Sequence, residues 1–334
     1  SGSDNGWLNP TNWNNGVPAG IASSTALINQ STPNNYVVAH DQGTNSAYFL
    51  RLQNSTANTA SLVIAPGTLL SITGPGGAAG LSDNAIQLNN GGIITVSGAL
   101  DVAGGIAAFG NSVINIHGGL LSEANTRIFR LYQNATLNID GGGRFTDLNG
   151  FEIGGGAAND DASVRLLDGS ADLRGITVGL RGTGTLSIAA GGALTNINND
   201  FLLAARPPSG NVVSHGRLYS TGTVFNTGNL FLGRNLSNAS ATAVAVISGG
   251  TFFQVGNNTK TADIGRENTG ALIIEAGSFI STNNVRVGTL DRAGSSVSRG
   301  DGTVLVTGTG AMAVSNAAGT ASITLGTTSD VADA

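Results

Sequence analysis

The candidate residues for chemistry are three histidines and two groups of aspartates with arginines, and the sequence contains no cysteine. Without thiols there is no disulfide framework, thiolate zinc site, iron–sulfur cluster or cysteine nucleophile. His40, His117 and His215 lie far apart in sequence, and no His-x-x-x-His pair occurs. Because His117 directly precedes a glycine, an ordinary turn histidine is favoured over a metal ligand. The sequence predicts neither a metal ion nor a cofactor.

Carboxylates grouped with arginines are the remaining candidates for chemistry. Clustered carboxylates, with calcium or a nearby arginine, are the groups that cleave polysaccharides. Polar loops of a weakly charged chain have the same composition, so structural salt bridges or solvation are the favoured interpretation, and no catalytic residue is assigned. The two groups are Asp160 and Asp161 with Arg165, and Asp291, Arg292, Arg299 and Asp301.

Charge and hydropathy exclude several classes of partner. The net charge is −5 and Lys260 is the single lysine, so the chain has no basic footprint for nucleic acid or an anionic membrane. No apolar run approaches the roughly 18 residues of a spanning helix. The chain begins at Ser1 and its one methionine is Met312, which leads us to expect a processed product whose signal peptide has been removed.

The elements that would position these residues repeat along the chain. Two apolar residues at alternate positions are followed, two or three residues later, by a glycine, with a mean period of about 27 residues, which is typical of solenoids. The alternating period of two predicts strands, and Leu218 before Gly222 is a degraded copy. The other pairs are Leu62/Ile64, Ile94/Val96, Ile114/Ile116, Leu137/Ile139, Val164/Leu166, Leu186/Ile188, Val244/Val246, Leu272/Ile274 and Val304/Val306.

A second motif, apolar-x-apolar-Gly, falls between these copies. Residues 201–204 are a copy that has lost its glycine, with Ala204 in its place. Each coil therefore contains at least two strands with a glycine corner. The intact copies occupy residues 151–154, 176–179, 230–233, 262–265, 285–288 and 323–326.

Burial then selects the architecture. One coil of about 27 residues cannot bury its own Val, Ile and Leu side chains, whereas coils stacked in register bury a continuous column of them. Successive copies of one strand run in the same direction, so they pair in parallel, and right-handed winding is expected. The sequence predicts a right-handed parallel β-helix of about ten coils over residues 61–334, a rod on the order of 50 Å long. Glycine and asparagine suit its corners, and stacked asparagines can form ladders.

Residues 1–60 do not follow the repeat clearly and contain both tryptophans, Trp7 and Trp13. A solenoid must cover its terminal coil, so we interpret this segment as an N-terminal cap or assembly segment. An aromatic platform for a ligand is the less favoured alternative.

The segment from Trp7 to Pro18 (Trp-x5-Trp-Asn-Asn-Gly-Val-Pro) is similar to the start of many secreted bacterial repeat proteins. The alternation of Leu-x-Ile-x-x-Gly with Leu-x-Leu-Gly-Arg-Asn resembles the passenger β-helices of autotransporters and related exported proteins with C-terminal sorting tails. The resemblance covers most of residues 60–327. It implies a β-helix exported to the cell surface or the extracellular medium, without membrane insertion of this segment.

Loop lengths vary most at one corner of the coil, between the second motif and the next copy of the first. Insertions of this kind project from one side of a solenoid, which is often its binding side. Arg206, Asp291 and Arg292 mark two such loops and are candidate contacts for a polysaccharide. Random variation of loop length at a corner that tolerates insertions explains these loops equally well.

Repeat-like sequence continues to Ile323 and Leu325, which leaves little chain for a C-terminal cap. An uncovered parallel coil presents unpaired backbone groups and apolar side chains. Either the native protein continues, or the next molecule's N-terminal segment covers this coil in a head-to-tail polymer. We expect a secreted structural protein of a fibre, surface layer or matrix. The alternatives are a carbohydrate-active enzyme of the polysaccharide-lyase type, which some β-helices are, and a monomeric glycan-binding adhesin.

Overall fold

A computed structural model describes most of the chain and shows that it is all β. The described residues are 6–13, 17–18, 25–30, 35–54, 59–74, 84–124, 127–155, 160–205, 213–234, 240–256, 259–288 and 300–326. Pro10–Asn12 form a short 3-10 helix, and strands account for the remaining regular structure. Every third strand belongs to the same sheet, which gives three parallel sheets of 12, 11 and 11 strands and about eleven coils. The parallel β-helix predicted from the repeat is confirmed, whereas its handedness stays a prediction.

The strands are numbered β1 to β34 in chain order, and the three sheets are numbered by their first strand. Sheet 1 contains β1 (Thr25–Gln30), β4 (Phe49–Asn54), β7 (Asn84–Asn89), β10 (Gly105–Ala108), β13 (Phe129–Leu131), β16 (Phe151–Ile153), β19 (Ile176–Val178), β22 (Phe201–Leu203), β25 (Leu230–Leu232), β28 (Thr261–Ile264), β31 (Asn284–Val287) and β34 (Ile323–Leu325). Sheet 2 contains β2 (Tyr36–His40), β5 (Ala60–Ile64), β8 (Gly92–Val96), β11 (Val113–His117), β14 (Thr136–Asp140), β17 (Asp161–Leu166), β20 (Thr183–Ile188), β23 (Ser214–Ser220), β26 (Ala241–Ile247), β29 (Thr269–Ile274) and β32 (Asp301–Val306). Sheet 3 contains β3 (Thr44–Ala47), β6 (Leu69–Ile72), β9 (Ala99–Val102), β12 (Leu120–Glu123), β15 (Arg144–Asp147), β18 (Ser170–Leu173), β21 (Ala193–Asn196), β24 (Thr223–Asn226), β27 (Thr251–Gln254), β30 (Ser278–Ser281) and β33 (Ala311–Val314).

The chain divides into two compact units. Unit 1 comprises residues 1–150 and 168–171, and unit 2 comprises residues 151–167 and 172–334. In unit 1, strands β1 to β4 already pair in parallel with later strands, so regular coils start before residue 61. The capping or assembly role of residues 1–60 stays a prediction.

The two sequence motifs correspond to sheets 2 and 1, and sheet 3 supplies a further strand to each coil. Strand β26 shows the packing of sheet 2, because its residues alternate strictly between buried and partly exposed. Aromatic side chains fill the interior of each unit. In unit 1 the rings of Phe129 and Phe145 meet edge to face at 5.2 Å. In unit 2 Phe252 lies 6.1 Å from Phe201 and 5.4 Å from Phe279 between ring centroids.

The corner after sheet 1 requires a left-handed backbone, which explains its glycine. At Gly233 φ is +74°, and a Cβ would lie 2.5 Å from the carbonyl oxygen of Thr269. Ala204, the residue that replaces glycine in one copy, still adopts a φ of 52°. The sequence motif therefore marks a backbone conformation, which persists even where its usual residue is absent.

Candidate functional site: the first and last coils

Trp7, one of the two tryptophans of the N-terminal segment, packs against the first coil of unit 1. Trp7 is fully buried, and its backbone N–H donates to the carbonyl of Ala39 at 2.6 Å. Gly6 forms a parallel bridge with the same residue, so the N-terminal segment continues sheet 2 beyond β2. Trp7 thus packs as one more layer over the interior of the first coil.

Trp13 supports Trp7 from the other side of a tight turn. The two rings meet edge to face at 5.0 Å, and the Trp13 indole N–H donates to the carbonyl oxygen of Trp7 at 2.8 Å. Trp7 also lies edge-on to the ring of His40, at 6.0 Å. A ring with no exposed surface cannot stack on a ligand, so the geometry of Trp7 suits a cover better than a binding platform.

His40 lies within this covered coil and is not exposed. Its Nδ1 lies 3.1 Å from the Thr68 hydroxyl, and its Nε2 lies 3.0 Å from the Asn45 amide nitrogen. Burial lowers the pKa of His40. The structure therefore presents it as a hydrogen-bonded interior histidine rather than a metal ligand.

The coil formed by β32, β33 and β34 in unit 2 has the opposite character. Its inward positions carry apolar side chains, yet Ile323 is 52% exposed and Leu325 is 71% exposed. One coil earlier, their register partners Val285 and Val287 are buried. Among the described residues, this coil therefore presents an uncovered apolar face together with three strand edges.

The other candidates do not converge on a catalytic centre within the described residues. Arg206, Asp291, Arg292 and Arg299 lie outside them. Asp160 is buried, whereas Asp161 and Arg165 are exposed on β17, and Asp301 is the exposed first residue of β32. No group of three or more metal-ligating side chains occurs in the described part of the chain.

A shallow groove of about 570 Å³ runs across several coils of unit 1. Glycines, hydroxyl groups and two leucines line most of it, and Arg144 is the ionisable side chain in its lining. His117 lies at the adjoining corner and is exposed, with its Nδ1 2.7 Å from the Asp140 carboxylate. The groove lacks the paired carboxylates that glycoside cleavage uses.

Unit 1 contains two buried carboxyl groups that the sequence did not predict. Glu123 is 2% exposed and Asp147 is 0% exposed, and the two face inward at paired positions of β12 and β15. Burial, and then the neighbouring Asp147 carboxylate, raise the pKa of Glu123 to about 10. Burial also raises the pKa of Asp147 to about 6, although the backbone N–H groups of Asn149 and Gly150 donate to it and oppose the shift. Both shifts are toward the protonated form, and at pH 7 Glu123 keeps its proton whereas Asp147 is mostly ionised.

The same inward position of sheet 3 in unit 2 holds amides. Asn196 donates to the side-chain oxygen of Asn226 at 2.6 Å, and Asn226 donates to that of Gln254 at 2.6 Å. Gln254 in turn donates to the carbonyl of Gly228 at 2.8 Å. The sequence suggested asparagine ladders at the corners, whereas these amides lie on strands. A second pair lies on the outer face of sheet 2 in unit 1, where Asn138 donates to Asn115 at 2.9 Å.

Sheet 1 of unit 2 carries an ionic cluster that the sequence did not predict. Asp263 is fully buried, and its carboxylate accepts from the Arg286 Nε at 2.7 Å and from Arg266 at 3.3 Å. The Arg234 and Arg266 guanidinium groups both lie over the Phe231 ring, at 4.4 and 5.2 Å from its centroid. Phe231, Asp263 and Arg286 are register neighbours on successive coils. These contacts cross-link the coils of unit 2.

Comparison with family models, curated proteins and solved structures finds no match for this chain. In the described part of the chain, no helix is long and apolar enough to span a membrane.

Proposed function

We propose that this chain is a structural β-solenoid subunit that associates head to tail, with the coil of β32, β33 and β34 docking onto the N-terminal cap of another copy. The observation that supports this proposal is the exposed interior of that coil, with Leu325 as its most exposed apolar residue. The exposed edges of β32, β33 and β34 offer backbone groups that can pair with strands of another copy. Because the two contact surfaces differ, the association is heterologous, and we propose that it propagates as a thread rather than closing into a ring.

The proposed setting is extracellular or at the cell surface, in a fibre, surface layer or adhesive matrix. This proposal is supported by the resemblance of the repeat to autotransporter passengers and related exported proteins. Repetitive burial, a single lysine and few charges suit a durable scaffold. No covalent chemistry is proposed for this chain.

The test of end-to-end docking is electron microscopy of the purified chain beside the double variant Ile323→Lys/Leu325→Lys. Charges on the uncovered face cannot be desolvated in a contact, so threads formed by the unaltered chain should disappear. Leu148→Lys is the matched control, because Leu148 is also an exposed leucine but lies in unit 1. Isolated particles from the unaltered chain, or threads that survive the double variant, would contradict the proposal.

A further inference from the structure

The outer face of sheet 2 changes chemistry along unit 2. Its second outward column begins with the polar residues Arg165 on β17 and Ser187 on β20. On the next four strands the same column is apolar. These four residues are Tyr219, Val246, Ile273 and Leu305.

This apolar column is open to solvent. Tyr219 is 44% exposed and Leu305 is 49% exposed, and the two between them are partly exposed. The adjacent outward column adds Val244 and Ala271, so a flat apolar strip crosses four strands. A contiguous strip of this kind marks an interaction surface, in contrast to a single exposed leucine.

Charge identifies the kind of partner. No ionisable side chain points outward from β26, and the strip is bounded by Arg217 on β23 and Asp301 on β32, both exposed. Neither takes part in an ion pair with another described residue. A partner that covers the strip should therefore be apolar at its centre and present opposite charges at opposite ends.

A second copy of the chain meets this requirement. A two-fold axis parallel to the strands reverses the order of coils but keeps the strand direction. It places Tyr219 against Leu305 and Val246 against Ile273 of the other copy. It also brings Arg217 to β32, where Asp301 lies two residues, or about 6.6 Å, before the residue in register with Arg217. The coil spacing of the two copies is identical, so the columns match along their whole length.

We infer that unit 2 has a lateral dimer interface on the outer face of sheet 2, with the strip of Tyr219, Val246, Ile273 and Leu305 packed against the same strip of a second copy. This contact is separate from the end-to-end docking proposed above and adds a second direction of assembly. Threads joined by it would form paired or sheet-like bundles.

The test uses sedimentation velocity in the Ile323→Lys/Leu325→Lys background, so that end-to-end docking does not contribute. We expect a reversible dimer with a dissociation constant on the order of 10 µM. Tyr219→Thr/Leu305→Thr should weaken it by about tenfold or more, because the strip loses its two most exposed apolar side chains. Phe225→Thr is the matched control, an exposed aromatic on sheet 3 in the same coil as Tyr219.

A charge exchange separates the second copy from other partners. Arg217→Glu places like charges together across the two-fold and should weaken the dimer by about tenfold, and adding Asp301→Arg should restore it to within about threefold. Circular dichroism checks that each variant keeps its β structure. A monomer at all concentrations up to about 1 mM, an equal effect of Phe225→Thr, or failure of the double exchange to restore the dimer would overturn the inference.

Discussion

The inward-facing end of the sheet-3 strands differs between the two units. Unit 1 places the carboxyl groups of Glu123 and Asp147 there, whereas unit 2 places the amides of Asn196, Asn226 and Gln254. An amide both donates and accepts, so amides on successive coils satisfy one another, while two ionised carboxylates offer only acceptors. A solenoid interior therefore accepts a polar side chain when the next coil supplies the complementary group, and otherwise holds it by keeping a proton.

Converting the centre of the amide ladder into an acid should have the largest effect. Asn226→Asp removes the donor to Gln254 and places a carboxylate beside the Gln254 oxygen, 2.6 Å from the present nitrogen. We expect the free energy of unfolding of unit 2 to fall by about 3–5 kcal/mol at pH 7. Hydrogen exchange in β24 and β27 measures this loss locally.

Asn138→Asp is the control for that substitution, since Asn138 belongs to a ladder on the outer face, where water solvates the new charge. Its effect should stay below about 1 kcal/mol. Equal losses from the two variants would show that the interior position of the ladder does not matter.

Removing the carboxyl of Glu123 should stabilise unit 1 by a smaller amount. Glu123→Gln keeps the shape of the side chain but has no proton to lose, so the free energy of unfolding at pH 8 should rise by on the order of 2–3 kcal/mol. Chemical denaturation at pH 8 measures the gain. Glu275→Gln, at an exposed corner, should leave it unchanged.

The buried carboxyl groups of unit 1 should make its free energy of unfolding fall as the pH rises. The folded pKa values of Glu123 and Asp147, about 10 and about 6, lie above their ordinary values of 4.5 and 3.8, so the folded state binds more protons. Their contribution to stability is full below about pH 4 and is lost as the pH rises, for Asp147 up to about 6 and for Glu123 up to about 10. The loss should be much reduced in Glu123→Gln, and an unchanged loss would contradict the assignment to this pair.

The smallest expected change is at the end of the amide ladder. The Ser281 hydroxyl donates to the Asn283 carbonyl at 2.9 Å and accepts from the Asn283 N–H at 3.1 Å. Ser281→Ala should cost about 1 kcal/mol, because it leaves these buried backbone groups without their partner but disturbs no other amide. Thermal unfolding measures this cost. A loss as large as that of Asn226→Asp would show that the stability contributed by a ladder residue does not depend on how many amides it contacts.

The strands of sheets 2 and 1 were predictable because both carry two alternating apolar residues and a nearby glycine. Those features report directly on inward burial and on a left-handed corner such as Gly233. The strands of sheet 3 are harder to recognise in the sequence, because the second inward residue of each strand is often polar. In β12, for instance, Leu121 is followed two positions later by Glu123, which breaks the apolar alternation.

The candidate site could be predicted only in part. Trp7 and Leu325 stand out because bulky aromatics in an aperiodic segment and a repeat that runs to Gly326 are visible in sequence. The buried carboxyl pair and the strip on sheet 2 depend on register between coils, and a repeat of irregular length does not reveal which residues become neighbours. The predicted loop contacts Arg206, Asp291 and Arg292 lie outside the described residues and stay predictions.

The central claim, that the last coil docks onto the first coil of another copy, is tested most directly by cross-linking two single-cysteine variants. The chain has no cysteine of its own, so Leu8→Cys and Thr324→Cys each introduce a unique thiol. When the two variants are mixed with a short bismaleimide, head-to-tail docking predicts efficient joining of position 8 in one copy to position 324 in another. Absence of this mixed product, while each thiol still reacts with a monofunctional maleimide, would contradict the claim.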